Sequence, residues 1–175
     1  MIHFLFISSK FVHCDTTSWD DQVRLFQEAA SFSPTGKVSY VVANAGIAAR
    51  DNIFEFSGNL PPIIVQDPLL TTSIIREEKE PSKPDLRVID VNISGTLYTV
   101  KLSLHYFIKQ NGQTPSPQQE DTCLILIGSG AAFLDCLRGP QYPATKWAMR
   151  GIMHSLRRTA FYYCNRVNVI SPWCV

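Results

Sequence analysis

Apolar residues recur along the chain in two periods, and the alternation between them lays out strands and helices in turn. Residues 11–14 (Phe-Val-His-Cys) form a short apolar run that predicts a buried strand. Thr17 or Ser18 can cap the helix that follows, with Asp20 and Asp21 in its first turn, where the helix dipole favours anions. Val23, Phe26 and Ala30 recur there at helical spacing, and Pro34 and Gly36 end the element. Residues 38–42 are rich in β-branched side chains, predict the next strand, and run into Asn44-Ala45-Gly46. Helical spacing returns at Leu86, Ile89, Ile93, Leu97, Val100, Leu104 and Phe107, followed by a polar loop over residues 111–120. Residues 123–127 are unbroken apolar sequence, the pattern of a strand covered on both faces of a parallel sheet. A last long helix is predicted from near Tyr142 to about Tyr163, with Ala144, Ala148, Gly151, Ser155 and Thr159 along one side, and residues 166–170 read as a strand.

Strands alternating with helices imply an α/β fold, a Rossmann-like parallel sheet with helices on both faces. Ligands of such sheets sit beyond the carboxyl ends of the strands, so functional residues are expected just after each strand. Residues 51–84 form an irregular insert containing Pro61, Pro62, Pro68, Pro81 and Pro84. That is long for a structureless connection, which makes it either functional or mobile. No internal repeat is present.

Composition narrows the class. The 175 residues suit one domain, 45% are apolar and 18% charged, and the net charge is +1 with acids and bases interspersed. No basic stripe exists to neutralise phosphates, so nucleic acid is not an expected partner. Cys14, Cys123, Cys136, Cys164 and Cys174 are odd in number and widely spaced, which suits buried thiols in a reducing compartment better than zinc or disulfides, and no metal is expected. The apolar start at residues 1–7 reads as a buried strand, because it lacks the basic leader and cleavage site of a secretory signal. No apolar run reaches the ~18 residues of a membrane span, so a soluble cytoplasmic protein without a membrane partner is expected.

The candidate chemistry falls where the topology asks for it. Asn44-Ala45-Gly46 follows one strand, Gly128-Ser129-Gly130 follows the next, and Tyr142-Pro-Ala-Thr-Lys146 opens the helix after it. Tyr142 and Lys146 are four apart and share a helix face. An ammonium beside a phenol favours the phenolate, so such a tyrosine can exchange a proton with an alcohol or carbonyl near neutral pH. Alone, Tyr-x-x-x-Lys is a weak signal. Here Ser129 precedes Tyr142 by thirteen residues, and Asp90-Val91-Asn92 lies within the helix before them.

In order and spacing these four signals resemble the short-chain dehydrogenase/reductase family, over nearly the whole chain from about Phe11. The resemblance implies an NAD(P)-dependent oxidoreductase in which Tyr142 is the general acid/base and Lys146 assists it while bonding the nicotinamide ribose. Ser129 would hold the reacting oxygen, and Asn92 would connect Lys146 to solvent through a water, or else simply kink its helix. Asn44, Ala45 and Gly46 would line the cofactor pocket, with Asn44 also stabilising the central sheet. Asp15 matches the family's acidic residue at the adenine ring and reads equally as a helix cap. Lys101 and Val175 match positions near the cofactor, or are a solvated helix charge and a chain end.

The sequence also departs from that pattern. The family's opening T-G-x-x-x-G-x-G turn, whose backbone N–H groups grip the pyrophosphate, has no counterpart before Asp15. The segment that separates NAD from NADP is absent with it, and NADP is preferred on family grounds. The C-terminal stretch reads Ser171-Pro172-Trp173-Cys174-Val175, with Trp where relatives have Gly, which resembles fungal enzymes of secondary metabolism, as does the insert. The expectation is one incomplete dinucleotide-binding domain over residues 1–175, lacking the N-terminal β-α-β unit and the C-terminal end. It would interconvert a secondary alcohol and a ketone on a hydrophobic small molecule and, if folded, form a homo-oligomer. The competing expectation is an inactive truncated remnant, or a dimerisation partner of a full-length relative through the small-residue side of the last helix.

Overall fold

The computed structural model describes residues 8–48, 83–116, 118–134 and 139–173. Residues 1–7, 49–82 and 135–138, Pro117 and residues 174–175 lie outside that description, and with them almost all of the insert, Cys136, Cys174 and Val175.

Three parallel strands, β1 (Tyr40–Ala43), β2 (Thr122–Ile127) and β3 (Asn165–Ile170), form a sheet in the order β1-β2-β3. Tyr40 faces Cys123 across the first pair, and Thr122 faces Asn165 across the second. Helix α1 (Trp19–Phe32) is capped by Ser18, whose hydroxyl accepts from the Asp21 N–H, with Asp20 and Asp21 in the first turn as expected. After it, Gly36 turns the chain toward β1 with φ +68, a left-handed conformation that costs glycine nothing. Helix α2 runs over residues 87–111 and helix α3 is Gln141–Ala160, extended by a 3₁₀ turn at Phe161–Tyr163.

Side chains alternate across the strands, so one sheet face holds Ala43, Leu124, Leu126 and Val167. These pack with Val100 and Phe107 of α2 and with Met149 and Ala160 of α3. Phe107, Leu124 and Leu126 are fully buried, and each contributes on the order of 1.5–3 kcal/mol by leaving water. Helix α1 packs against α2 through two ring contacts, Trp19 on Tyr98 at 5.5 Å and Phe26 on Tyr106 at 5.4 Å. Among the described residues, helices α2 and α3 cover this one face. Tyr40, Val42 and Ile170 of the other are exposed. No helix among the described residues is long and apolar enough to cross a membrane.

Two expectations need correction. Residues 11–14 are not a strand, and Phe11 is 88% exposed, because no described strand lies alongside to complete its hydrogen bonds. Of the expected apolar positions, Leu86 precedes α2 and is exposed, and within α2 Leu97 is exposed, whereas Val88, Asn92, Thr96 and Val100 are buried. The cause is a π-helical segment at Asp90–Gly95, between α-helical Arg87–Ile89 and Thr96–Asn111. The wider π turn keeps positions four apart on one face, so the inward stripe slips from the regular 3.6 period.

The same segment explains the buried Gln22 of α1. Its amide nitrogen donates to the Gly95 carbonyl at 2.8 Å and to the Thr16 carbonyl at 2.6 Å, and its oxygen accepts from the Thr99 hydroxyl. A Cβ on Gly95 would lie 2.8 Å from the Thr16 carbonyl oxygen, so only glycine lets the two segments meet.

Candidate active site

All three strands end on the same side, and each is followed by residues that the sequence singled out. The turn after β2 is laced to the end of β3 and the segment beyond it: the Gly128 N–H donates to the Ile170 carbonyl at 2.7 Å, and the Gly130 N–H to the Pro172 carbonyl at 2.9 Å. A Cβ on Gly130 would lie 2.5 Å from the Trp173 ring, so the indole rests directly on that glycine beside Ser129. Ser129 is extended, and its hydroxyl oxygen accepts from the Ala131 N–H at 3.2 Å, opening the short 3₁₀ turn Gly130–Ala132. Used as an acceptor, the hydroxyl retains its hydrogen for another partner.

Helix α3 presents Tyr142 and Lys146 on one face. The Lys146 ammonium lies 5.5 Å from the Tyr142 ring centroid and donates to the Ile127 carbonyl at 2.9 Å, at the end of β2. Asn92, in the π segment, is buried at the junction of three elements. Its oxygen accepts from the Ile47 N–H at 2.8 Å, while its nitrogen donates to the Ile47 carbonyl at 2.9 Å and to the Thr145 hydroxyl at 3.1 Å. A Cβ on Gly46 would sit 3.3 Å from the Asn92 oxygen and 3.7 Å from the Lys146 nitrogen. The loop after β1, the bulge of α2 and the first turn of α3 therefore converge, and glycine at position 46 keeps the approach open.

Burial pushes the Lys146 ammonium below its ordinary value of 10.5. Between that lowered value and 10.5 the unfolded chain holds the extra proton and the folded chain does not. This group's contribution to stability therefore rises with pH through that window and levels off above it. Denaturation midpoints of the wild type and of Lys146→Met, taken from neutral pH upward, are expected to converge in the wild type's favour as pH rises. A difference independent of pH would show that the ammonium is not desolvated.

Thr145 went unnoticed in the sequence. It is fully buried, accepts from Asn92, and donates to the Tyr142 carbonyl at 2.7 Å, so it locks the bulge of α2 to the first turn of α3. Its only sequence signal is its place between Tyr142 and Lys146. Other candidates stand differently. Asp15 is exposed, and its Oδ1 accepts from both the N–H and the hydroxyl of Thr17, which holds its carboxyl below the usual range; Ser18, not Asp15, caps the helix. Asn44 and Ala45 are exposed at the end of β1, and the Asn44 side chain makes no hydrogen bond among the described residues. Lys101 is exposed on α2, nine residues beyond Asn92. Val175 lies outside the described residues.

The chain belongs to the short-chain dehydrogenase family, whose model matches residues 75–175. It is 32% identical over 165 residues to a 5'-hydroxyaverantin dehydrogenase of Emericella nidulans, covering 93% of this chain and 50% of that one. It is 29% identical to an NADP-dependent dehydrogenase of a Phoma species, covering 94% of this chain and 45% of that one. The chain thus spans about half the length of the curated relatives it matches. Among solved structures, a short-chain type dehydrogenase/reductase of Mycobacterium marinum superposes with a TM-score of 0.67 at 16% identity, over 92% of this chain and 51% of that one. An NAD+-bound xylitol dehydrogenase superposes with a TM-score of 0.61 at 21% identity, over 91% and 48%. At those identities the likeness establishes the fold, a Rossmann-like parallel sheet.

The Lys146 ammonium and the open backbone at Gly46 are chemically suited to the hydroxyls of a cofactor ribose. A separate cavity of about 130 Å³ lies between α1, β1 and α2, lined by Gln22, Phe26, Val42, Asn44 and Thr96 among others; Ser129, Tyr142 and Lys146 do not line it. The Lys146 ammonium has three donors and a single acceptor among the described residues.

Proposed function

We propose that the chain supplies the catalytic half of an NAD(P)-dependent oxidoreductase interconverting a secondary alcohol and a ketone, on a hydrophobic small molecule of fungal secondary metabolism. One observation carries the reading. Lys146 is buried within reach of Gly46 and Asn92, shares a helix face with Tyr142, and is tied to Ile127, two residues before Ser129. NADP is the cofactor favoured, since a relative of similar standing is named NADP-dependent. Asn44, Ala45, Gly46 and Lys146 would hold its ribose end, with Asp15, Lys101 and Val175 as outlying contacts.

The cofactor, when bound, takes or gives the hydride. Ser129 donates its hydroxyl hydrogen to the substrate oxygen and stabilises the charge that develops there. Tyr142 passes the proton to that oxygen, or takes it, as the direction requires. Lys146, desolvated and with no counter-ion among the described residues, keeps positive charge beside the phenol and offers its remaining donors to ribose hydroxyls. Asn92, fixed by Ile47 and Thr145, holds the bulge of α2 open next to Lys146, where a water can carry protons to solvent.

Exposure of Tyr40, Val42 and Ile170 on one sheet face favours a second reading, a non-catalytic chain that pairs with a full-length relative or with its own kind. Of the small residues along α3, Ala144, Gly151, Ser155 and Thr159 are exposed among the described residues, whereas Ala148 packs against the core. Titrating the folded chain with NADPH and NADH, read by tryptophan fluorescence, separates the two. Saturable binding followed by reduction of a hydrophobic ketone is the expected result. Absence of binding by both nucleotides, in a sample shown folded by circular dichroism, overturns the oxidoreductase reading.

A further inference from the structure

The turn that carries Ser129 is tied to α3 on both sides. Before it, Lys146 holds the Ile127 carbonyl. After it, the Arg150 guanidinium donates to the carbonyl of the fully buried Ala132 at 3.0 Å. Tyr142, Lys146 and Arg150 succeed one another at four-residue steps, so one helix face carries the phenol, the ammonium and the guanidinium. Arg150 is itself held in a stack. Its central carbon lies 4.3 Å from the Phe133 ring centroid and 4.7 Å from that of Trp147.

Phe133 belongs to the Ser129 turn and Trp147 to α3, so the stacked cation joins the two elements a second time. A guanidinium is flat and can donate in its plane while lying against aromatic rings, which an ammonium does less well. The turn's own bonds run through the same residues. The Ala132 N–H donates to the Ser129 carbonyl at 3.0 Å, and the Phe133 N–H to the Gly130 carbonyl at 2.9 Å. Whatever fixes the Ala132 carbonyl and the Phe133 ring therefore fixes the backbone from which the Ser129 hydroxyl projects.

We propose that Arg150 is a positioning residue, which clamps the Ser129 turn to the Tyr142–Lys146 face of α3 and so sets the distance between the serine hydroxyl and the phenol. This rests on the oxidoreductase reading for its effect on turnover, though not for its effect on the turn. Among the described residues Arg150 bonds to the turn's backbone at Ala132 and not to the Ser129 hydroxyl, Tyr142 or Lys146. It acts through Ser129, and displacement of a catalytic group by a fraction of an ångström is enough to slow a reaction whose partners must be aligned.

The test compares Arg150→Met and Arg150→Lys with wild type in the full chain. Amide hydrogen exchange at Ala132 and Phe133 should quicken in Arg150→Met by about tenfold, while exchange in β2 and the centre of α2 stays unchanged. In steady-state reduction of a hydrophobic ketone with NADPH, kcat should fall about tenfold with KM for NADPH within about twofold. Arg150→Lys keeps the charge and a donor but loses the stack, so it should fall between the two in both measurements. Exchange at Ala132 and Phe133 matching wild type overturns the clamp, whatever the turnover. Equal losses of kcat, cofactor affinity and global stability overturn it too, because they describe a residue that merely supports the fold. If wild type binds no nucleotide and turns nothing over, the oxidoreductase reading fails by itself, and the exchange result still decides the clamp.

Discussion

Tyr142→Phe is expected to lower kcat for ketone reduction by about 10²–10⁴-fold, the range that a positioned general acid contributes. The substitution removes one oxygen and keeps the ring, so the 5.5 Å contact between the Lys146 ammonium and the ring face survives. The Thr145 hydroxyl bonds to the Tyr142 main-chain carbonyl and is untouched, which leaves the link from Asn92 to α3 in place. Dissociation constants for NADPH should therefore change little, and the loss should appear in single-turnover rates. Turnover retained within a few-fold would remove Tyr142 from the proton-transfer role and leave the cluster as a binding site.

Phe107→Ala should have the largest effect on stability, with a loss of about 3–5 kcal/mol in urea denaturation. Phe107 is fully buried in the cluster formed by Leu124, Leu126, Val100 and Met149, where α2 meets the sheet. Deleting the ring removes its transfer free energy and leaves a cavity that β2 cannot collapse into, because β2 is hydrogen-bonded on both sides to β1 and β3. Leu126→Val, a smaller deletion in the same cluster, should cost less and keep the chain folded if the phenylalanine variant does not fold. A loss below about 1 kcal/mol for Phe107→Ala would mean that α2 is not seated on the sheet as described.

Much of this was legible along the chain. The β-branched run before Asn44 and the apolar run at residues 123–127 are strands because both bury side chains in a parallel sheet, and period and composition reveal that directly. The Ser18 cap and the acidic first turn of α1 could be read from local chemistry alone. The candidate site can be proposed from the chain, its roles resting on the family resemblance. Residues just after parallel strands share one end of the sheet, and i,i+4 residues share one helix face, so backbone periodicity is enough to propose Ser129, Tyr142 and Lys146 as neighbours.

What the sequence by itself determined, then, is the order of elements, the parallel sheet and the family. These depend on hydrophobic period and on short-range spacing. The tertiary structure decided the rest. Residues 11–14 have strand composition yet form no strand, since a strand exists only where a neighbour supplies hydrogen-bond partners. Leu97 faces outward because the π segment rephases α2, and that segment is stabilised by Gln22, 73 residues before its Gly95 partner in the chain. Thr145, Arg150 and the contact of Trp173 with Gly130 acquire meaning only from side chains brought in from other elements. Such contacts are long-range, and no local pattern of residues encodes them.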